Sequence, residues 1–369
     1  MPAASLLPVR EGTLVPRPPA PLSPQNAQTV IQPARWGKGN VNAMRYSLDG
    51  SLLAVATSVG IYLYEAQTLE ELRFLESEDW VVSLAFSPDG ETLAAGCWDG
   101  AVRLWRVEDG AFLRSLERPP GASGEILSVA FSPDGQTIVS VGSNGGRVHF
   151  WRVSDGVLLR TLAGQDTVIV RAVAFSSDRE IVAVGGEDGR VQLWRLRDGQ
   201  RLQMLRSPAW MLWDVAFSPD GERVASAFGD GVVRLWQVSD GKLLRTLGDE
   251  SGMLLSVAFS PDGEIVAAGC WDGTIRLWRV RDGALLRVLE GHTDWVREVV
   301  FSPDGETLLS RSDDGTIRLW RVRDGALLRM LEGQIGGEGG VAFSRDGRYL
   351  VSGGQDGTVR LWGAVRRGL

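Results

Sequence analysis

Histidine, lysine and cysteine are almost missing from this chain. Of its 369 residues two are His (His149, His292), two are Lys (Lys38, Lys242) and two are Cys (Cys97, Cys270). Two isolated histidines supply neither a Ser-His-Asp arrangement nor a clustered His metal site, so no catalytic residue, metal or cofactor is expected. Two cysteines make no disulfide framework. No run of 18 apolar residues occurs, which excludes a membrane-spanning helix. The start, Met1 to Arg10, has no basic segment ahead of a long apolar stretch and reads as a poor signal peptide, so a cytoplasmic protein is expected. The formal charge of −7 argues against a broadly basic surface for nucleic acid. Because lysine is so scarce, nearly every cation is Arg. Arg forms bidentate pairs that Lys cannot, though GC-rich coding or a hot habitat would give the same bias.

Proline is concentrated at one end, at positions 2, 8, 16, 18, 19, 21 and 24. Such spacing disfavours both helix and packed sheet, so residues 1–27 are expected to form an extended or disordered arm, either a solvated tail or a docking peptide. Residues 28–369 read as one domain. Within it a unit recurs, seen at Phe259-Ser-Pro-Asp-Gly263, Asp272-Gly-Thr-Ile-Arg-Leu-Trp278 and Arg281-Asp-Gly-Ala-Leu-Leu-Arg287. Each short apolar run ends in a turn closed by Gly, giving four strands per unit. The aromatic ending each third strand counts the units: Tyr64, Trp105, Trp151, Trp194, Trp236, Trp278, Trp320 and Trp362, at intervals of 41, 46, 43, 42, 42, 42 and 42 residues. The Asp of each turn sits beside Gly in nearly every unit, which points to turn chemistry rather than to metal binding or acid-base work.

A 42-residue, four-stranded repeat fits propeller architecture. The Ser-Pro-Asp-Gly turns, the Asp-Gly-Thr-Ile-Arg-Leu-Trp runs and the single Gly291-His292 resemble the WD40 family across residues 28 to 362. The resemblance implies an all-β fold, a single eight-bladed β-propeller of four-stranded antiparallel blades. The chain stops soon after a third strand, and the unpaired run Thr29-Val-Ile-Gln-Pro-Ala34 is expected to supply the outer strand that closes the ring. Departures are plain: Arg, Gln or Gly follows the Trp where the family has Asp, and Gly-His occurs once. The family's buried His–Asp–Trp network should therefore be incomplete in most blades, with rigidity shifted toward apolar packing.

In such a propeller the connections from fourth to first strand and the second turns share one face. Positions there vary while the framework repeats. Six residues before each first-strand aromatic stand Asn40, Trp80, Glu125, Ile169, Met211, Met253, Trp295 and Gly337; two residues further stand Asn42, Val82, Leu127, Arg171, Trp213, Leu255, Arg297 and Gly339. Trp98, Glu187, Gly229, Trp271, Asp313 and Gln355 precede the second-turn Asp. Exposed aromatics with Arg anchor interfaces. The candidate partner-binding set is Trp80, Trp98, Arg171, Trp210, Met211, Trp213, Phe228, Met253, Trp271, Trp295, Arg297 and Asp313, densest in units five to seven. The expected function is a non-enzymatic, monomeric scaffold that binds a protein or peptide partner. The alternative is a small-ligand or carbohydrate-binding propeller in which Trp98, Trp271 or Trp295 stacks on a sugar.

Overall fold

Residues 254–289 show how the repeat becomes a sheet. In the computed structural model the strands Leu254–Phe259, Ile265–Cys270, Ile275–Arg279 and Leu285–Leu289 pair antiparallel in sequence order. The first turn is fixed by its own side chains. Ser260 Oγ donates to Asp262 at 2.5 Å, the Glu264 amide donates to the same carboxylate, and the Ile265 amide donates to Ser260 Oγ. Gly263 takes a φ of 72°, where a side chain would be strained. The serine hydroxyl and the amide hold the Asp262 carboxyl below its usual range. The same bonds recur after Ser87, Ser132, Ser176, Ser218 and Ser302, so these carboxylates serve turns.

The structure describes residues 30–37, 41–66, 70–117, 124–143, 147–162, 169–178, 180–250, 252–332, 340–344, 346–353 and 358–364, with side chains from 41 onward except at 332, 358, 359, 361, 363 and 364. Among them eight four-stranded antiparallel sheets follow one another and no helix occurs. Sheets one to seven cover residues 41–76, 81–116, 126–162, 170–206, 212–247, 254–289 and 296–332. The eighth joins Val341–Phe343, Tyr349–Gly353 and Thr358–Ala364 to Val30–Gly37 as its fourth strand. The expected N-terminal outer strand thus pairs with the last strand of the chain. Its register slips between Ile31 and Ala34, and Pro33, which has no N–H to donate, lies in that irregularity. The expected arm at residues 1–27 lies outside the described residues.

The core lies between sheets. Trp278 packs in one cluster with Ala225, Leu235, Val257 and Val266, residues of its own sheet and the preceding one. Seven clusters join consecutive sheets; another joins Val41, Met44, Leu53 and Tyr64 of the first sheet to Tyr349 and Val351 of the eighth. Close approach needs glycine: a Cβ on Gly96, Gly185, Gly269 or Gly353 would meet Ile126, Leu212, Val296 and Val41, respectively, at 2.3 to 2.7 Å. All eight third-strand aromatics are buried, as the repeat predicts.

The full polar network occurs in the seventh sheet. Trp320 Nε1 donates to Ser310 Oγ at 2.8 Å, Ser310 Oγ meets His292 Nε2 at 2.7 Å, and His292 Nδ1 meets Asp314 at 2.8 Å. Trp151, Trp236 and Trp362 likewise donate to a second-strand serine. Alongside the expected apolar packing, third-strand arginines hold the second-turn carboxylates. Arg103, Arg234 and Arg276 of the third strands pair with the second-turn Asp99, Asp230 and Asp272 at 2.5, 2.7 and 3.3 Å. Other arginines tie neighbouring sheets at the rim, where Arg160, Arg245 and Arg287 donate to the carbonyls of Arg197, Arg281 and Arg323. Arg thus ties a turn or a neighbouring sheet in sheets two, three, five and six, and at Asp99 and Asp230 it does so with two nitrogens, which a lysine could not copy.

Candidate partner-binding face

The second turns and the entries to the first strands are drawn together by backbone bonds. Trp98 N donates to Trp80 O, Glu187 N to Ile169 O, Gly229 N to Met211 O, Trp271 N to Met253 O and Asp313 N to Trp295 O, all at 2.9 to 3.0 Å. The two variable sets picked out in the sequence therefore share one face in sheets two and four to seven. The third set has a structural cause that the sequence did not reveal. In sheets one to seven the pairing of first and second strands slips across one residue, and that residue is Asn42, Val82, Leu127, Arg171, Trp213, Leu255 or Arg297. A bulge leaves its extra residue out of the ladder and re-aims its side chain. The most variable position of the repeat is thus the one freed from sheet pairing. Asn40, Gly337, Gly339 and Gln355 lie outside the described residues.

Trp210 is 81% exposed, Trp98 53%, Trp80 46% and Trp271 45%. Met211 beside Trp210 has a φ of 61°, a left-handed conformation that costs a non-glycine residue about 1–3 kcal/mol. Bonds on both sides of it, Met211 N to Glu187 O and Gly229 N to Met211 O, hold it there. Met253 is half-buried. Trp271 and Trp295 stand 6.3 Å apart across sheets six and seven, and Trp80 and Trp98 stand 6.2 Å apart within sheet two. Arg297 lies 4.4 Å over the Trp295 ring while pairing with Asp313 at 2.8 Å. Arg171, paired with Glu187, lies 5.4 Å over Trp213 across sheets four and five. The indole N–H of Trp213 is buried without a partner.

Phe228 does not belong to this face. It is fully buried in the cluster between sheets four and five, beneath the Arg234 guanidinium at 4.8 Å. As the last residue of a second strand it takes the place that Cys97 and Cys270 take in their sheets, pointing inward where the sequence alone suggested a surface aromatic. Cys97 and Cys270 are likewise buried, and burial pushes both thiols up to about 11.

The sequence also sets Asp214 and Glu298 beside the variable positions of units five to seven, and the structure places both on first strands among polar contacts. Asp214 accepts the amides of Val215 and, from the next sheet, Val257, both at 2.8 Å; Ser256 Oγ accepts the amide of Val299 one sheet further. Burial lifts the Asp214 carboxyl to about 6 against these bonds, with Glu298 adding repulsion. Glu298, paired with Arg311 at 3.4 Å, is raised by the same cause. Among the described residues no group of three His, Cys, Asp or Glu is placed to hold a metal ion, and no helix is long and apolar enough to cross a membrane.

Two family models match this chain: the WD domain, G-beta repeat, at residues 69–106, 110–152 and 156–195, and the IFT122 first beta-propeller at residues 211–367. Among curated proteins it is similar to the small ribosomal subunit protein RACK1 of Schizosaccharomyces pombe, 34% identical over 80 residues. It is also similar to the antiviral protein SKI8 of Saccharomyces cerevisiae, 34% identical over 87 residues. Each match covers 19% of this chain, and the matched stretches span only 26% and 22% of those relatives. Among solved structures, the computationally designed Ika8 protein superposes with a TM-score of 0.75 at 30% identity, over 89% of this chain and 97% of Ika8. Repeat, sheet topology and family models agree, and the chain belongs to the WD40-repeat β-propeller family.

Proposed function

We propose that this protein is a non-enzymatic interaction scaffold whose eight sheets form the blades of one closed ring. Its turn-and-bulge face would bind a protein or peptide partner. The observation that carries the reading is the group of exposed tryptophans on loops that framework bonds hold rigid, Trp210 above all, held out beside a strained Met211. Large aromatics presented on a fixed backbone lose little entropy on binding and dominate interface energies. The closed ring is supported by the cluster shared by first and eighth sheets and by the pairing of Val30–Gly37 with Thr358–Ala364. One relative is by name a protein of the small ribosomal subunit. Residues 28–369 would then be one domain, monomeric and cytoplasmic, with residues 1–27 as an appended arm. Affinity capture from native lysate with wild type and a Trp210→Ala/Trp271→Ala variant tests the face. Loss of specific co-purifying proteins is expected; an identical set from both would refute it.

A further inference from the structure

Two sheets carry the same loop with one telling difference. In the seventh, Asp294-Trp295-Val-Arg297 enters the first strand; in the second, Asp79-Trp80-Val-Val82 does. The backbones match: Asp294 accepts the Trp295 amide at 2.8 Å and Asp79 the Trp80 amide at 2.7 Å. The tryptophan carbonyl then accepts the second-turn amide of Asp313 at 3.0 Å or of Trp98 at 2.9 Å. In the seventh sheet the bulge residue Arg297 fills the corner, stacked on Trp295 and paired with Asp313. In the second sheet Val82 stands at the bulge and Trp98 replaces Asp313. The rings of Trp80 and Trp98 open at 58° with centroids 6.2 Å apart. No Arg or Lys lies over either ring among the described residues, and two carboxylates directly precede Trp80: Asp79, and Glu78, which is 90% exposed and 3.5 Å from the largely buried Arg103 guanidinium.

We infer that the Trp80–Trp98 corner binds an arginine side chain of an extended, basic peptide segment on a partner, seated as Arg297 is seated on Trp295. The inference rests on reading this face as partner-binding and adds the chemistry of the partner. Two indole faces attract a planar cation, more so when it stacks and is partly desolvated. The neighbouring carboxylates and the net charge of −7 favour approach of a basic segment. The repeat itself shows the interaction made in cis, and Val82 is the substitution that leaves it to be made in trans.

The test uses the full chain and a fluorescein-labelled octapeptide of alternating glycine and arginine, with its citrulline counterpart as the uncharged control. Fluorescence anisotropy should show the arginine peptide binding at least tenfold more tightly than the citrulline one. Trp80→Ala and Trp98→Ala should each weaken it at least fivefold. Val82→Arg, which imports the arginine of the seventh sheet, should do the same, whereas Val82→Gln should stay within twofold of wild type. Leu244→Arg on an exposed outer strand adds equal charge elsewhere and should also stay within twofold. Unchanged affinity in both tryptophan variants, equal binding of the citrulline peptide, or equal weakening by Leu244→Arg would each overturn the inference. So would concentration-dependent self-association lost in Val82→Arg, which would make the occupant a second copy. Partner capture that depends on Trp210 and Trp271 while the peptide fails to bind would overturn this inference alone and leave the scaffold reading standing.

Discussion

His292→Ala should be among the most damaging single changes in the seventh sheet. The His292 side chain is fully buried, and its two ring nitrogens join Ser310 to Asp314. The bonding has one consistent direction: Trp320 N–H to Ser310 Oγ, Ser310 O–H to His292 Nε2, and His292 Nδ1–H to the Asp314 carboxylate. Removal deletes one neutral bond worth about 1 kcal/mol and one charge-assisted bond worth about 1.5–3 kcal/mol, and leaves a cavity. One response limits the loss. Arg318 already stands 3.8 Å from Asp314 and can close on it, as Arg234 closes on Asp230 at 2.7 Å in the fifth sheet. The net cost is therefore set at about 2–3 kcal/mol, a large share of the 5–15 kcal/mol that folded domains command. Urea unfolding at pH 8 followed by tryptophan fluorescence measures it. Ser226→Ala in the fifth sheet, which breaks only the bond from Trp236 and one to the Arg234 carbonyl, should cost about 1–2 kcal/mol in the same assay. A His292→Ala cost below that of Ser226→Ala would refute the view that the histidine network outweighs the serine–tryptophan pair.

Two further outcomes are expected. Deleting residues 28–37 removes the fourth strand of the eighth sheet and its pairing from Val30 to Gly37, so the melting temperature of the whole chain should fall by several degrees; an unchanged value would refute the closed-ring proposal. Asp214 is raised from 3.8 to about 6 by burial, so the folded state favours its neutral form: the stability this gives is present below about pH 4 and lost as pH rises through about 6, to a limit of about 3 kcal/mol at 1.36 kcal/mol per pH unit. Urea midpoints of wild type and Asp214→Asn across pH 4–8 check the sign, and an identical pH profile in both would refute it.

What the sequence determined by itself was the repeat and everything local to it. Ser-Pro-Asp-Gly closes a turn with its own hydroxyl, carboxylate and amides, so its role is written in four adjacent residues. The third-strand aromatic is buried in every sheet because a repeat of about 42 residues places it in the same seam each time. The unpaired run near Val30 could be matched to the missing strand simply by counting. Tertiary structure decided which variable residues face outward and what meets them there. Phe228 and Trp271 stand one residue apart in the repeat, yet one points between sheets and the other to the surface, since the first is the last residue of a buried second strand and the second begins the turn beyond it. Trp80 and Trp295 have the same neighbours in sequence, but what lies over each ring depends on a bulge that frees Val82 or Arg297 and on a second turn some 16 residues away. The polar ties of Asp214 and Ser256 run to the next sheet about 43 residues on. Local chemistry repeats with the sequence period, while side-chain aim and partners across a seam are set only when the strands register and the sheets stack.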